Sequence, residues 1–163
     1  MTINYDVTLV TLPAMRMISA HGFGKEPEGQ AWQKMREWIH ANGMEEAAKE
    51  QRFFGFNNPD PAPGSENYGY EQWMTLPASY DPKEDDVVKE LKGGLYAVLG
   101  FRESDPSEFG QAWKALNTWR LDSEYDYDES RQWLEECVTP GAVLNNIESG
   151  LGFDCFMPIR PRR

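Results

Sequence analysis

The sequence predicts an α+β fold in which two similar strand-helix-strand-strand units form one concave antiparallel sheet, with two main helices on one side. An internal repeat is the first observation behind this prediction. The tetrapeptide Gly29-Gln30-Ala31-Trp32 recurs as Gly110-Gln111-Ala112-Trp113, and the same spacing carries Trp38 onto Trp119. Because Trp is a rare residue, these matches indicate a duplicated half-domain. The second observation is that each copy presents its strand, turn and helix signals in the same order.

The first half opens with alternating apolar residues at 5–20, interrupted by Pro13, which favour strand structure. A turn rich in Gly, Pro and acids follows at 22–28. The next segment, 29–41, predicts a helix because its apolar residues recur at helical spacing. The second half repeats this order with a strand at 94–101, a turn at 104–108 and a helix at 109–121. The helix Trp residues at these spacings are expected in the core, and two more strands close each half.

The last strand shows the same pattern in both halves: aromatic, acid, any residue, aromatic, Met. It reads Tyr70-Glu71-Gln72-Trp73-Met74 in the first half and Phe153-Asp154-Cys155-Phe156-Met157 in the second. We therefore expect the halves to superpose, with Trp32 on Trp113 and Glu71 on Asp154. We expect one domain, 1–163, made of two pseudo-symmetric halves (about 3–78 and 91–161) joined by an acidic linker at 79–90.

Composition excludes several classes of protein. The chain has 163 residues, 40% of them hydrophobic, and a formal net charge of −11. The apolar content argues against disorder, and the acid excess argues against direct nucleic-acid binding. We find no apolar run long enough for a membrane span and no secretory signal, so a cytoplasmic location is expected. The two cysteines lack metal-site spacing and histidines are few, so we expect no metal, cofactor or disulfide.

Acidic residues inside apolar strands are the candidate functional groups. Glu71 and Asp154 occupy matching positions, and Glu135 and Glu136 are adjacent, so one of that pair should point inward. Two alternatives are solvated strand faces and structural ion pairs with Arg16, Arg52 or Arg102. A carboxylate among aromatic rings suits a lipophilic cation. The candidate ligand-binding residues are Glu135, Glu71, Trp73, Tyr70, Trp133, Phe156, Asp154 and Tyr96. No sequence motif indicates a catalytic nucleophile.

These features together resemble the GyrI-like domain. The resemblance rests on the duplicated plan, the segments 93–98, 70–77 and 153–161, and the Asn58-Pro59 loop. The GyrI-like domain is the effector-binding domain of AraC-type and MerR-type bacterial multidrug regulators, and it also occurs as stand-alone gyrase-inhibitor proteins. The resemblance implies a ligand cleft between the halves, with a Glu preceded by an apolar residue receiving the cation. Leu134-Glu135 matches that position, whereas Asp154 stands where the family usually has Glu.

The resulting hypothesis is a stand-alone effector module for amphipathic, cationic small molecules, linked to transcription regulation or drug sequestration and not an enzyme. Glu135 should face the cleft near Trp73 or Phe156. The alternative is a hydrolase of electrophilic small molecules, in which Glu71 or Glu135 activates water and Tyr70 or Tyr96 assists. An inhibitory protein partner for a topoisomerase is a third hypothesis, which rests on analogy. The chain lacks a helix-turn-helix or basic segment, so neither nucleic acid nor a membrane is an expected partner.

Overall fold

The computed structural model describes residues 6–102, 107–145 and 151–163, which form nine strands and four helices. The predicted α+β class is confirmed. The predicted turn at 104–108 lies mostly outside the described residues. The strands are β1 (Thr8–Leu12), β2 (Met15–Gly24), β3 (Phe53–Asn57), β4 (Tyr68–Thr75), β5 (Val88–Leu91), β6 (Gly94–Arg102), β7 (Tyr125–Tyr127), β8 (Leu134–Cys137) and β9 (Gly152–Pro161). The helices are α1 (Pro27–Ala41), α2 (Glu45–Ala48), α3 (Ser107–Asp122) and α4 (Pro140–Leu144).

The strands form one antiparallel sheet in the order β1-β6-β9-β8-β3-β4-β2-β5, which curls into a half-barrel, and β7 pairs with the end of β9. From the centre outward, one side reads β3-β4-β2 and the other reads β8-β9-β6. A long helix follows β2 in the first half and β6 in the second. The first half follows the predicted strand-helix-strand-strand order, with the short helix α2 added, whereas in the second half three strands, β7, β8 and β9, follow the long helix α3. The superposition of the halves stays a prediction.

At the two edges of the sheet, a strand of the first half pairs with the second half, and a strand that begins in the linker pairs with the first half. Residues 5–20, expected as one interrupted strand, form β1 and β2, which pair with β6 and β4 respectively. Pro13 separates them because it has no N–H to donate to a ladder. The expected linker at 79–90 ends in β5, which pairs with β2 in the register Met15↔Leu91. The sequence does not reveal β5 because three of its four residues are exposed and its pairing uses backbone groups.

Apolar side chains are buried on both faces of the sheet. On the helical face, α1 packs on β2, β3 and β4, and the ring of Trp32 stacks on Phe53 with centroids 5.4 Å apart. Helix α3 packs on β6 and β9 through Ala112 and Leu116. We call the opposite face the inner face, and the buried cluster on it contains strand residues alone among the described residues. Its cluster is buried because the curled sheet brings its members together: Leu12, Met17, Phe54, Phe56, Trp73, Leu91, Tyr96, Val98, Leu134 and Phe156.

Candidate ligand-binding site

A groove of about 450 Å³ lies on the helical face, between α1 and the central strands β4, β8 and β9. We call it the α1 groove. Its volume falls within the range of small-molecule pockets. Both halves of the chain line it, because α1 and β4 come from the first half and β8, α4 and β9 from the second. The residues used below are Glu28, Trp32, Arg36, Tyr70, Glu135, Val143, Leu151 and Phe153.

Glu135 lies on the floor of the α1 groove. It pairs with Gly55 in the β3–β8 ladder, and only 9% of the residue is exposed. Burial raises the pKa of Glu135 to about 8, with the negative charge of Glu28 adding to the rise and a hydrogen bond from Tyr70 opposing it. A carboxyl that has lost its hydration is held in the neutral form until an opposite charge arrives. Near neutral pH Glu135 is therefore mostly protonated in the free protein.

The Tyr70 side chain passes over Gly55 to contact Glu135. Its hydroxyl donates to Glu135 Oε2 at 3.3 Å. A Cβ atom on Gly55 would come within 1.9 Å of that hydroxyl, so the position between the two side chains must be Gly. Burial, and the neighbouring Glu135, raise the pKa of Tyr70 well above its ordinary value. Tyr70 is therefore a protonated hydrogen-bond donor across the physiological pH range.

Two charged side chains of α1 lie at the mouth of the groove. Glu28 accepts a hydrogen bond from the Tyr68 hydroxyl. Arg36, two helical turns later, donates from Nη1 to the Val143 carbonyl at 3.3 Å. With Glu135 protonated these lining charges sum to zero, and with Glu135 ionised they sum to one negative charge. Ionisation of Glu135 therefore decides whether the groove attracts a cation.

Aromatic and aliphatic side chains form the walls of the groove. Trp32 of α1 stands on one side, and Phe153, Leu151 and Val143 stand on the other. Trp32, which the sequence predicts to lie in the core, is a core residue that also lines the groove. Sequence reasoning missed Glu28, but the sequence does hold a signal for it. Glu28 precedes Trp32 by four residues, one helical turn, so an acid lies on the apolar stripe of α1.

The remaining candidates lie outside the α1 groove. Residues of a strand alternate between its faces, so Tyr70 and Glu135 face the helices, while Glu71, Trp73 and Phe156 face the inner side. The expectation that Glu135 lies near Trp73 or Phe156 is therefore not met. Tyr96 also belongs to the inner-face cluster. Of the eight candidates, the fold brings Glu135 and Tyr70 together in the groove.

Glu71 is buried but fully supplied with hydrogen bonds. It accepts from Ser19 Oγ at 2.8 Å, from Asn58 Nδ2 at 2.6 Å and from Trp73 Nε1 at 3.1 Å. Burial by itself would raise the pKa of Glu71, but these three donors lower it below its ordinary value. Its contacts tie β2 and β4 to the Asn58 loop. Glu71 therefore has the geometry of a structural carboxylate.

Glu136 forms a salt bridge on the inner face. Arg52 donates from Nε and Nη2 to its two carboxylate oxygens, each at 2.7 Å. The Arg52 guanidinium also lies over the Phe54 ring at 5.0 Å. The hydrogen bonds that Arg52 donates to Glu136 raise the pKa of Arg52. The charge of Asp154, which pairs with Glu136 in the β8–β9 register, adds to this rise. The adjacent acids are thus divided, with Glu135 facing the groove and Glu136 paired with Arg52.

Trp133 lies against α3, away from the α1 groove. Its ring centroid is 5.1 Å from that of Trp113, and both border a smaller cavity of about 240 Å³ together with Tyr127 and Met157. Within the described ranges, no set of three or more His, Cys, Asp or Glu side chains is placed to hold a metal ion. Among the same residues, no helix is long and apolar enough to span a membrane.

Several solved structures share this fold. The C-terminal domain of EcmrR matches with a TM-score of 0.68 and 12% identity, covering 98% of this chain and 100% of that one. SAV2435, solved bound to tetraphenylphosphonium, matches with a TM-score of 0.55 and 13% identity, over 95% and 94% of the two chains. A hydrolase from Listeria innocua matches with a TM-score of 0.65 and 9% identity, over 98% and 94%. At these identities the likeness establishes the fold.

The chain spans 58% of the EcmrR chain seen in a complex with DNA, which it matches over 97% of its own length with a TM-score of 0.69 and 13% identity. No curated protein matches the sequence significantly. The sequence profile of Cass2, an integron-associated effector binding protein, matches residues 8–159. This profile covers almost the whole chain, and it agrees with the GyrI-like resemblance found in the sequence. The chain belongs to the Cass2 family of integron-associated effector binding proteins.

Proposed function

We propose that this effector-binding domain takes lipophilic monocations into the α1 groove, where Glu135 receives the charge. The observation that carries the proposal is a carboxyl with 9% exposure at the floor of an aromatic groove. No described Lys, Arg or His side chain forms a salt bridge with Glu135. A cation with apolar substituents would supply the opposite charge and would match the apolar walls of the groove.

Binding is coupled to loss of a proton from Glu135. The protein has a net charge of −11, so its overall field favours the approach of a cation, while Glu28 and Arg36 offset each other at the mouth of the groove. Glu135 then ionises, and the Tyr70 hydroxyl donates a hydrogen bond to the carboxylate. Trp32 and Phe153 line the groove, so the apolar substituents of the cation can contact them. A charge-assisted contact of this kind contributes roughly 1.5–3 kcal/mol.

The ligand bound by SAV2435 supports the proposed chemistry. Tetraphenylphosphonium is a bulky monocation without hydrogen-bond donors, so a site recognises it by charge and apolar contact. The α1 groove combines one ionisable floor residue with apolar walls, which is the same pair of requirements. We infer that this module either presents such ligands to a transcription regulator or sequesters them.

A thermal-shift titration tests the proposal directly. We expect tetraphenylphosphonium to raise the melting temperature in a concentration-dependent way, because a ligand that binds only the folded state stabilises it by mass action. Triphenylphosphine oxide, which is neutral and also carries phenyl groups, should produce a much smaller shift. Equal shifts from the two compounds would mean that the groove recognises apolar bulk without charge.

A hydrolase of electrophilic small molecules is the second candidate function, and one observation favours it. Glu135, with a pKa raised to about 8, lies 3.3 Å from a Tyr70 hydroxyl that stays protonated, which gives a base beside an acid. In an epoxide hydrolysis, the ionised form of Glu135 would take a proton from water, the hydroxide would add to a ring carbon as its C–O bond breaks, and Tyr70 would protonate the ring oxygen and then regain a proton from Glu135. Diol formation from an epoxide, abolished by Glu135→Gln, would establish this function.

A further inference from the structure

A second cavity, of about 550 Å³, lies beside the C-terminal part of α1, where that helix faces α2 and α4. We call it the distal cavity. Ile39, Ala48 and Leu144 contribute apolar side chains to it, one from each of the three helices. Its described lining contains neither Glu135 nor Tyr70. The proposed function therefore leaves the distal cavity without a role.

The distal cavity continues the α1 groove along one side of α1. Glu28, Trp32 and Arg36 border the groove at intervals of about one helical turn. Arg36, Ile39 and His40 border the distal cavity, so Arg36 belongs to both. His40 follows Trp32 by eight residues, which is about 12 Å along the helix axis. The two cavities are therefore neighbouring parts of one trough, which we call the α1 trough.

Arg36 lies where the two cavities meet. Helix α4 also borders both cavities, because Val143 lines the α1 groove and Leu144 lines the distal cavity. Arg36 Nη1 donates to the Val143 carbonyl at 3.3 Å, which is longer than the usual N–H···O distance of about 2.7–3.2 Å. The aliphatic stem of an Arg side chain is itself an apolar surface. A hydrocarbon chain that passes from one cavity to the other would therefore contact this stem and would displace at most this long hydrogen bond.

Charged side chains at the rim of the distal cavity already have partners. His40 Nδ1 lies 2.8 Å from Glu45 Oε1, and Lys49 Nζ donates to Glu46 Oε1 at 2.9 Å. All four side chains are more than half exposed, so water also solvates them. A ligand charge would gain little from such solvated pairs. The surface that the cavity offers to a ligand is the apolar one contributed by the three helices, which suits an uncharged hydrocarbon group.

We propose that the ligands of the α1 trough are monocations that carry an alkyl chain, with the cationic head at Glu135 and the chain lying along α1 in the distal cavity. This inference rests on the proposed function, which places the head in the α1 groove. An extended chain of about ten carbons spans the distance from Trp32 to His40, since each C–C bond of roughly 1.5 Å advances the chain by somewhat less than its own length. Complete burial of one methylene raises the affinity about fourfold, so a chain that buries about half of its surface in an open trough gains about twofold per methylene.

Calorimetric titration of the full chain with methyl-, octyl- and tetradecyltriphenylphosphonium, each below its critical micelle concentration, tests the proposal. We expect octyl to bind about a hundredfold more tightly than methyl, and tetradecyl to gain no more than about tenfold over octyl because the trough ends. An affinity that does not depend on chain length, with the methyl compound bound, would overturn this inference and leave the proposed function intact. A rise that continues at the same rate to tetradecyl would indicate adsorption without a defined site and would also overturn it. Failure of all three compounds to bind would refute the proposed function itself.

Two variants locate the chain. Leu144→Gln removes an apolar wall of the distal cavity, and Leu121→Gln is its matched control, because Leu121 lies in the last turn of α3 and is 57% exposed. We expect Leu144→Gln to weaken octyl binding by about tenfold and to leave methyl binding unchanged, whereas Leu121→Gln should bind both compounds as the native chain does. Gly141→Leu adds bulk to the same cavity without removing a native contact, since a Cβ atom there meets nothing within 4 Å, and it should also weaken octyl binding alone. An octyl advantage that persists in both cavity variants, or that falls equally in Leu121→Gln, would show that the chain does not lie in the distal cavity.

Discussion

Cation binding in the α1 groove should tighten as the pH rises, because Glu135 must ionise to pair with the cation. Burial raises the pKa of Glu135 to about 8. At pH 6 about one molecule in a hundred then holds the ionised form, and at pH 9 about nine in ten do. The apparent affinity scales with the competent fraction, so it should rise by nearly a hundredfold (on the order of 90-fold) across this interval.

Glu135→Gln removes the ionisable carboxyl group and keeps the shape of the side chain. We expect the affinity for tetraphenylphosphonium to fall by on the order of tenfold to a hundredfold at pH 9 and to become independent of pH. Binding of triphenylphosphine oxide should change much less. Glu136→Gln is the matched control, since Glu136 lies on the other face of the sheet and pairs with Arg52. The affinity of Glu136→Gln for tetraphenylphosphonium should rise with pH as steeply as that of the native protein.

Isothermal titration in buffers of different ionisation enthalpy measures both the affinity and the protons released. Close to one proton should leave per cation bound near pH 7, and almost none in Glu135→Gln. A native affinity that changes less than threefold between pH 6 and pH 9 would refute the proton coupling. If Glu135→Gln binds both compounds as the native chain does, Glu135 is not the residue that receives the cation. If Gln variants of Glu135, Glu71 and Glu136 behave alike, the cation hypothesis itself is wrong.

Four further predictions follow from the same geometry. The native protein should lose about 1.4 kcal/mol of unfolding free energy per pH unit between about pH 5 and pH 8, since its folded state keeps a proton on Glu135 that the unfolded state releases; urea melts of Glu135→Gln should show no such loss. Tyr70→Phe removes the hydrogen bond that opposes the rise in the pKa of Glu135, so the midpoint of the pH dependence of cation binding should move upward in the same calorimetric assay. Gly55→Ala should destabilise the fold by about 1–3 kcal/mol in urea melts because its Cβ meets the Tyr70 hydroxyl, whereas Gly110→Ala, with open space around it, should not. A fragment of residues 1–80 should give no cooperative transition by circular dichroism, because it deprives β1 of β6 and β3 of β8.

Local sequence signals predicted the long helices well. The expected helix at 29–41 is Pro27–Ala41, and the expected helix at 109–121 is Ser107–Asp122. The difference at the start of α1 arises because Pro27 occupies the first turn, where its missing N–H costs nothing. Helix hydrogen bonds join residues four apart, so a short window of sequence contains most of the information.

The same window could not reveal where the strands pair. Residues 5–20 carry a strand signal throughout, yet β1 and β2 lie on opposite sides of the sheet centre. The short strands β5 and β7 have too few apolar residues to be recognised. Strand pairing joins residues that are distant in the chain, and its backbone hydrogen bonds leave little trace in the identity of the side chains.

Sequence alone determined the fold class, the acid excess and the family resemblance, and it predicted the duplicated plan and Glu135 as the receiving acid. The tertiary structure decided which candidates act together. Because side chains alternate along a strand, Glu135 lies on the opposite face of the sheet from Trp73 and Phe156. Both faces of this curled sheet are apolar, so the alternation of side chains alone does not predict which face carries the groove. That choice depends on where α1 packs. It also depends on Gly55, whose missing side chain lets Tyr70 of one half reach Glu135 of the other.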